Sequence, residues 1–134
     1  MKKFDDKISL AILQTLRQNS RISWQELGKN VHLSGQAAAE RVKQMQEHGV
    51  IDGFTIRENR PRHLIGVMMK HTNFQLFENW LIQNPNVESV DKTSGDICYM
   101  IVYVTENLAE LEQFLNELLQ HGAYRLNSSI RRVK

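Results

Sequence analysis

Residues 23–43 read SWQELGKNVHLSGQAAAERVK, and this stretch decides the N-terminal half of the fold. Ser23 followed by Glu26 is a capping box: the hydroxyl takes an orphan amide N–H at a helix start while the carboxylate reaches back to the cap. Trp24, Leu27 and Val31 then supply the apolar face of a short helix. After a turn through His32 and Leu33, Ser34 caps a second helix that runs to His48, with Gly49 as its left-handed stop. If Ala38, Val42 and Met45 face a core, the opposite face carries Gln36, Glu40, Lys43 and Gln44, flanked by Ala37 and Arg41. Two short capped helices, the second with a polar outer face, are the parts of a helix-turn-helix.

Upstream, Asp6 caps a helix to about Arg17, with Ile8, Ala11, Ile12 and Leu16 on one stripe, and Asn19 and Ser20 end it. Downstream, Val50 to Arg57 reads as a strand pair around Asp52-Gly53, the place and length of a small wing. Residues 1–57 therefore form a winged helix-turn-helix domain. Residues 58–63 (Glu-Asn-Arg-Pro-Arg-His) are polar and hold one of the two prolines, which marks a hinge linker.

From residue 64 to 134 strand and helix signals alternate. Strands are expected at Leu64–Lys70, Val87–Thr93, Ile97–Val104 and Ala123–Val133, and helices at Asn73–Gln83 and Leu108–Gln120. Phe74, Phe77 and Leu81, and likewise Leu108, Leu111, Leu115 and Leu118, keep helical spacing. The order βαββαβ is the ferredoxin-like pattern, so the fold class is α+β. Ile97 to Val104 is apolar on both faces: Ile97, Tyr99, Ile101 and Tyr103 line one, Cys98, Met100, Val102 and Val104 the other. A sheet with helices on one side leaves the second side to be covered, and a partner sheet is the economical cover. Tyr99, Ile101 and Tyr103 are taken as the dimer interface.

Composition sets the class. The chain has 134 residues, 41% hydrophobic and 24% charged, with a net charge of +2, which excludes a disordered chain. Its longest apolar run is too short to span a bilayer, and Met1 to Asp6 hold no apolar signal segment, so no membrane association and a cytoplasmic location are expected. Charge is uneven: residues 1–63 hold eleven Lys and Arg against seven Asp and Glu, and residues 64–134 hold six against eight. A basic first half suits a polyanion. Gln can pair with adenine, an Ala methyl can touch thymine, Glu can accept from cytosine, and Lys or Arg can reach guanine or phosphate. Arg21, Ser23 and Ser34, at helix starts, suit phosphate oxygens.

Asp6-x-x-Ile-x-x-Ala-Ile-Leu, Asn-Ser-Arg-Ile-Ser (19–23), Glu-Leu-Gly-Lys-Asn-Val-x-Leu-Ser (26–34) and Glu-Arg-Val-Lys-Gln-Met (40–45), followed by Gly-Val-Ile (49–51), resemble the Lrp/AsnC (feast/famine) regulators. The likeness covers the whole chain. It implies a sequence-specific DNA-binding regulator of transcription that works as a homodimer or larger oligomer and answers to an amino acid or related metabolite bound where dimers meet. On that basis Thr93, Ser94, Gly95, Asp96 and Cys98, around the turn between the second and third strands, are the expected effector site. Two positions depart from the family pattern. Cys98 stands where Asp is common, which bears on the effector, and Gly35 and Ala37 stand where proline and a polar residue are frequent, which bears on base preference.

Two other function classes fit a chain of this composition. One is a metabolite-binding or oligomerisation module without specific DNA binding; it would fail to shift DNA at low salt. The other is an enzyme, and the residues discourage it. Cys98 is the only cysteine and sits in an apolar strand, no base is tied to it, and His32, His48, His63, His71 and His121 lack metal-ligand spacing. Neither catalytic residues nor a metal or cofactor are expected.

Overall fold

Asp6 opens the first helix because its carboxylate accepts the Ser9 backbone N–H at 3.3 Å and the Ser9 hydroxyl at 2.6 Å. The computed structural model describes residues 4–134; Met1 to Lys3, part of the stretch read for a signal segment, lie outside the described residues. The chain divides into two compact units, Met1–Arg57 and Glu58–Lys134.

The first unit is built from α1 (Lys7–Gln18), α2 (Trp24–Val31) and α3 (Gly35–Glu47). Ser23 and Ser34 cap α2 and α3 by accepting the N–H groups of Glu26 at 3.1 Å and Ala37 at 3.0 Å. Each such cap is worth about 1 kcal/mol. Ile12, Leu16, Leu27, Val31, Ala38, Val42 and Met45, with Phe4, form one core. Trp24, expected on that apolar face, is instead 46% exposed, because it stands on the first turn of α2, beyond the reach of the core. His32 (φ 62°) and Gly49 (φ 75°) take the left-handed turns that end α2 and α3.

No strand forms between residues 50 and 61, so the strand pair expected at Val50–Arg57 is absent. Val50 and Ile51 instead turn back, both donating N–H to the Met45 carbonyl at 2.8 and 3.2 Å, and pack on the helical core. That leaves Phe54 and Ile56 exposed in an irregular segment with no strand partner.

The second unit has β1 (Arg62–Met69), α4 (Phe74–Ile82), β2 (Val87–Lys92), β3 (Tyr99–Val104), α5 (Leu108–Leu118) and β4 (Gly122–Ser128). Its antiparallel sheet has the order β2-β3-β1-β4, the ferredoxin-like arrangement. β1 begins earlier than expected and takes in Arg62 and His63, which had been placed in the hinge. His63 is buried because its ring bridges Ser128 Oγ (2.8 Å) and the Thr105 carbonyl (3.1 Å). β4 ends at Ser128 rather than Val133. Leu108, on the first turn of α5, is exposed, whereas Leu111, Phe114, Leu115 and Leu118 enter the core.

The register assigns the faces. Ile65 lies opposite Ile101 and Leu126, and Val67 opposite Tyr99 and Tyr124. Partners in an antiparallel pair share a face, so His63, Ile65, Val67, Tyr99, Ile101 and Tyr103 all point to one side. There they meet Phe77, Leu81, Leu111, Phe114, Leu115 and Leu118 of the helices. Tyr99, Ile101 and Tyr103 are 0–2% exposed: they are the subunit's own core and not a dimer interface. Tyr103 stacks on Phe114 with ring centres 4.3 Å apart, and Tyr99 meets Phe77 edge-on at 5.0 Å. The Tyr99 hydroxyl donates to Glu78, and burial, reinforced by that bond, pushes its pKa up to about 12.

The opposite face carries Leu64, Gly66 and Met68 of β1 beside Met100 and Val102 of β3; Ile97, expected on the Tyr99 side, lies over Gly66 on this one, because it precedes β3, which begins only at Tyr99. A Cβ on Gly66 would come within 2.9 Å of Ile97 Cδ1. No helix of either unit's described residues is long and apolar enough to cross a membrane.

Candidate nucleic-acid interface

A helix-turn-helix works only if its two helices are held at a fixed angle, and two glycines do this here. A Cβ on Gly28 would sit 2.4 Å from the Leu33 carbonyl oxygen, inside any tolerable contact. At Gly35 a Cβ would lie 3.2–3.3 Å from the backbone of Trp24 and Gln25. The start of α3 is thus pressed against the start of α2, which brings the Ser23 and Ser34 caps onto neighbouring helix ends. Helix N-termini carry partial positive charge and favour phosphate. Arg21 precedes them with its side chain exposed, its own N–H donating to Asn19 Oδ1 at 3.1 Å.

On α3, Ala38, Val42 and Met45 are buried. Gln36, Ala37, Glu40 and Lys43 are exposed and Gln44 is half-buried, so these residues do share the outer face. Arg41 differs. Its guanidinium donates to Asp6 Oδ2 at 3.2 Å and to Ser9 Oγ at 3.0 Å, which ties α3 to the start of α1. Hydrogen bonds from Ser9, with the Arg41 guanidinium adding to them, hold the Asp6 carboxyl below its usual pKa. Arg41, grouped by sequence with the base readers, is turned back into its own unit because Asp6 and Ser9 offer it two acceptors. Sequence spacing gave no hint of a pairing between residues 6 and 41; Asp6 was visible only as a cap.

The expected effector residues form the turn after β2. Thr93 donates its N–H to the Cys98 carbonyl at 2.9 Å and its hydroxyl to the Ile97 carbonyl, closing the turn on itself. Ser94, Gly95 and Asp96 are exposed, and Gly95 takes φ 122°, a conformation side chains resist. Cys98 is pinned by its N–H to the Val67 carbonyl at 2.8 Å, and its side chain packs on the apolar core. The turn therefore gathers Ser94, Gly95 and Asp96 at the surface and turns Cys98 away from them. Among the described residues no group of three or more His, Cys, Asp or Glu is placed to hold a metal ion.

Comparison with known proteins agrees with this geometry. Residues 5–52 match the family model described as winged helix-turn-helix DNA-binding, and residues 63–132 match the Lrp/AsnC ligand binding domain. The chain is 31% identical to the HTH-type transcriptional regulator LrpB of Bacillus subtilis, across 96% of this chain and 91% of that one. Its fold superposes on the solved structure of B. subtilis LrpC with a TM-score of 0.82 and 25% identity, covering 96% of each chain. A regulator from Neisseria meningitidis, NMB0573, solved as a complex with L-Met, shares the fold with a TM-score of 0.78 at 20% identity, covering 96% of this chain and 92% of that one. The family consists of transcriptional regulators and not of enzymes. With a DNA-binding model on the first unit, a ligand-binding model on the second and whole-length relatives of the same kind, the chain belongs to the Lrp/AsnC family of transcriptional regulators.

Proposed function

We propose that the chain works in the cytoplasm as a homodimer or larger oligomer, reading duplex DNA through α3 and answering to an amino acid held at the turn after β2. The observation that carries the reading is the outer face of α3: Gln36, Ala37, Glu40 and Lys43 project from a helix whose other side is fully buried and whose position two glycines fix. Gln36 and Glu40 read base edges, Ala37 permits close approach to a thymine methyl, and Lys43, Gln44, Arg21, Ser23 and Ser34 take phosphates or flanking bases. Arg41 contributes by bracing α3 against Asp6.

Self-association uses the uncovered face of the sheet, where Leu64, Met68, Met100 and Val102 form a continuous apolar surface that a second copy would bury. The effector role rests on the chemistry of the turn. Exposed backbone N–H groups beside Gly95 can meet a carboxylate and Asp96 can meet an α-amino group, which suits an amino acid, as the methionine-bound Neisseria relative suggests.

The test is selection of operator sequences from a random DNA pool, followed by titration of Gln36→Ala and Glu40→Ala proteins. Each lost base contact should cost about 1–3 kcal/mol at its own base pair and relax preference there. Unchanged affinity and unchanged preference in both variants would remove α3 from the interface. Calorimetric titration with the twenty amino acids, repeated on Asp96→Asn, tests the effector: heat from the parent that the variant loses supports the turn, and heat retained by the variant moves the site elsewhere.

A further inference from the structure

The second unit is close to neutral, with eight Lys and Arg against nine Asp and Glu, yet five of those eight cations stand at two short segments: Arg60 and Arg62 at the start, and Arg131, Arg132 and Lys134 at the end. The fold brings these segments together. Ser129 donates its N–H to the Arg62 carbonyl at 2.8 Å, which lays the tail after β4 beside the entry to β1. Between them lies a cleft of about 270 Å³ lined by Arg60, Arg62, Arg131 and Arg132 with Glu58 and Ser129.

The four guanidiniums differ in what they are bound to. Arg60 bridges Glu58 at 3.2 Å and Glu106 at 3.5 Å, and Arg62 reaches Glu88 at 3.5 Å. Those carboxylates hold the first pair in place. Arg131 and Arg132 are exposed and, among the described residues, have no carboxylate within ion-pair distance. A cleft with two anchored and two uncommitted arginines is built for an anion with several oxygens, since guanidinium forks match phosphate in pairs.

We propose that this cleft is a second DNA contact, one that takes the phosphodiester backbone outside the helix-turn-helix and carries no sequence information. The choice of DNA over a free phosphate compound follows from connectivity. Glu58 is bonded directly to Arg57, the last residue of the DNA-reading unit, so Arg60 lies within about 10 Å of chain from it. The proposal rests on DNA binding by the first unit but not on which residues of α3 do the reading.

The experiment uses the full-length Arg131→Gln/Arg132→Gln protein. Each phosphate contact adds about 0.9 to the slope of log affinity against log salt, so the slope should shallow by about 2 for each protomer that engages the DNA. Binding to operator and random DNA should weaken by the same factor, leaving their ratio unchanged. The Arg131→Lys/Arg132→Lys protein keeps both charges and should restore the slope. A slope unchanged in the glutamine variant, with a circular-dichroism melt like the parent's, would overturn the proposal, as would loss of discrimination without a change of slope. Titration with pyrophosphate supplies the remaining arm: saturable binding that needs both arginines, with the DNA slope unaltered, would assign the cleft to a free phosphate compound instead. Failure of the α3 reading is distinguishable, because it shows as unchanged base preference in Gln36→Ala and Glu40→Ala and leaves this slope change intact.

Discussion

Each unit leaves one face of one element without cover, and the two faces differ in chemistry. The outer side of α3 shows Gln36, Glu40 and Lys43; the outer side of the sheet shows Leu64, Met68, Met100 and Val102. In both units the inner face is finished: Val42 and Met45 are 0–1% exposed, and so are Ile65 and Ile101. The difference teaches what each surface can join. Amides and charges keep their water until a polar partner replaces it bond for bond, as base edges and phosphates do. Thioether and branched aliphatic groups gain from any apolar cover, which another protein surface supplies.

The contrast can be broken most severely at Ile101. Ile101→Glu buries a carboxylate among rings and leucines, costs several kcal/mol and should unfold the second unit; a native melt and native size for this protein would mean that β3 does not face the helices. Next is Gly28→Ala, where a methyl must displace the Leu33 carbonyl. Overpacking of this kind costs about 1–3 kcal/mol, and DNA affinity should fall with helix content nearly intact; unaltered affinity and an unaltered melt would show that the α2–α3 turn can shift freely. Val102→Glu, one residue from Ile101, should behave differently from its neighbour. It should keep the melt of an isolated subunit while sedimentation reports loss of assembly, and assembly that persists would move the contact to another surface.

The smallest effect concerns His121. Burial, together with His71 at 3.0 Å and Lys70, holds its pKa below the ordinary 6.5. The unfolded chain then binds this proton more readily than the folded one. Stability from this source is complete above about pH 6.5 and declines as pH falls through that value. Thermal midpoints at pH 7.5 and 5.5 should differ more for the parent than for His121→Phe, which keeps a ring beside Phe77 and Trp80; equal differences would exclude His121 as the cause.

What sequence could and could not show follows from the range of each interaction. Caps at Asp6, Ser23 and Ser34 and the stop at Gly49 are local, spanning three or four residues, so they were legible as written. The βαββαβ order was legible too, because helices and hairpin turns announce their own ends. The two faces of β3 were visible as alternation, but both are apolar, and only the register with β1 says that Ile101 faces inward and Val102 outward. The side expected to be the interface, that of Ile101, is the subunit's own core. Asp52-Gly53 looked like a hairpin turn, yet Val50 and Ile51 are drawn to Met45 and the core, a pull that no window around residue 52 contains. Arg41 and the Arg60–Arg132 cleft escaped for the same reason: their partners are distant along the chain. The exposed face of α3 was legible because a helix places its residues by arithmetic.

The two hydrophobic clusters share no residue, and this has a calorimetric meaning. A chain with two separate cores is expected to melt in two cooperative transitions, one for each unit, with two-state bookkeeping applying to each rather than to the whole. Anything that binds only the folded form of one unit raises that unit's transition alone. An amino acid and rising protein concentration would then mark the transition of the second unit, and DNA that of the first and, through the Arg131–Arg132 cleft, that of the second as well, so a single scan reports which half of the molecule a partner touches.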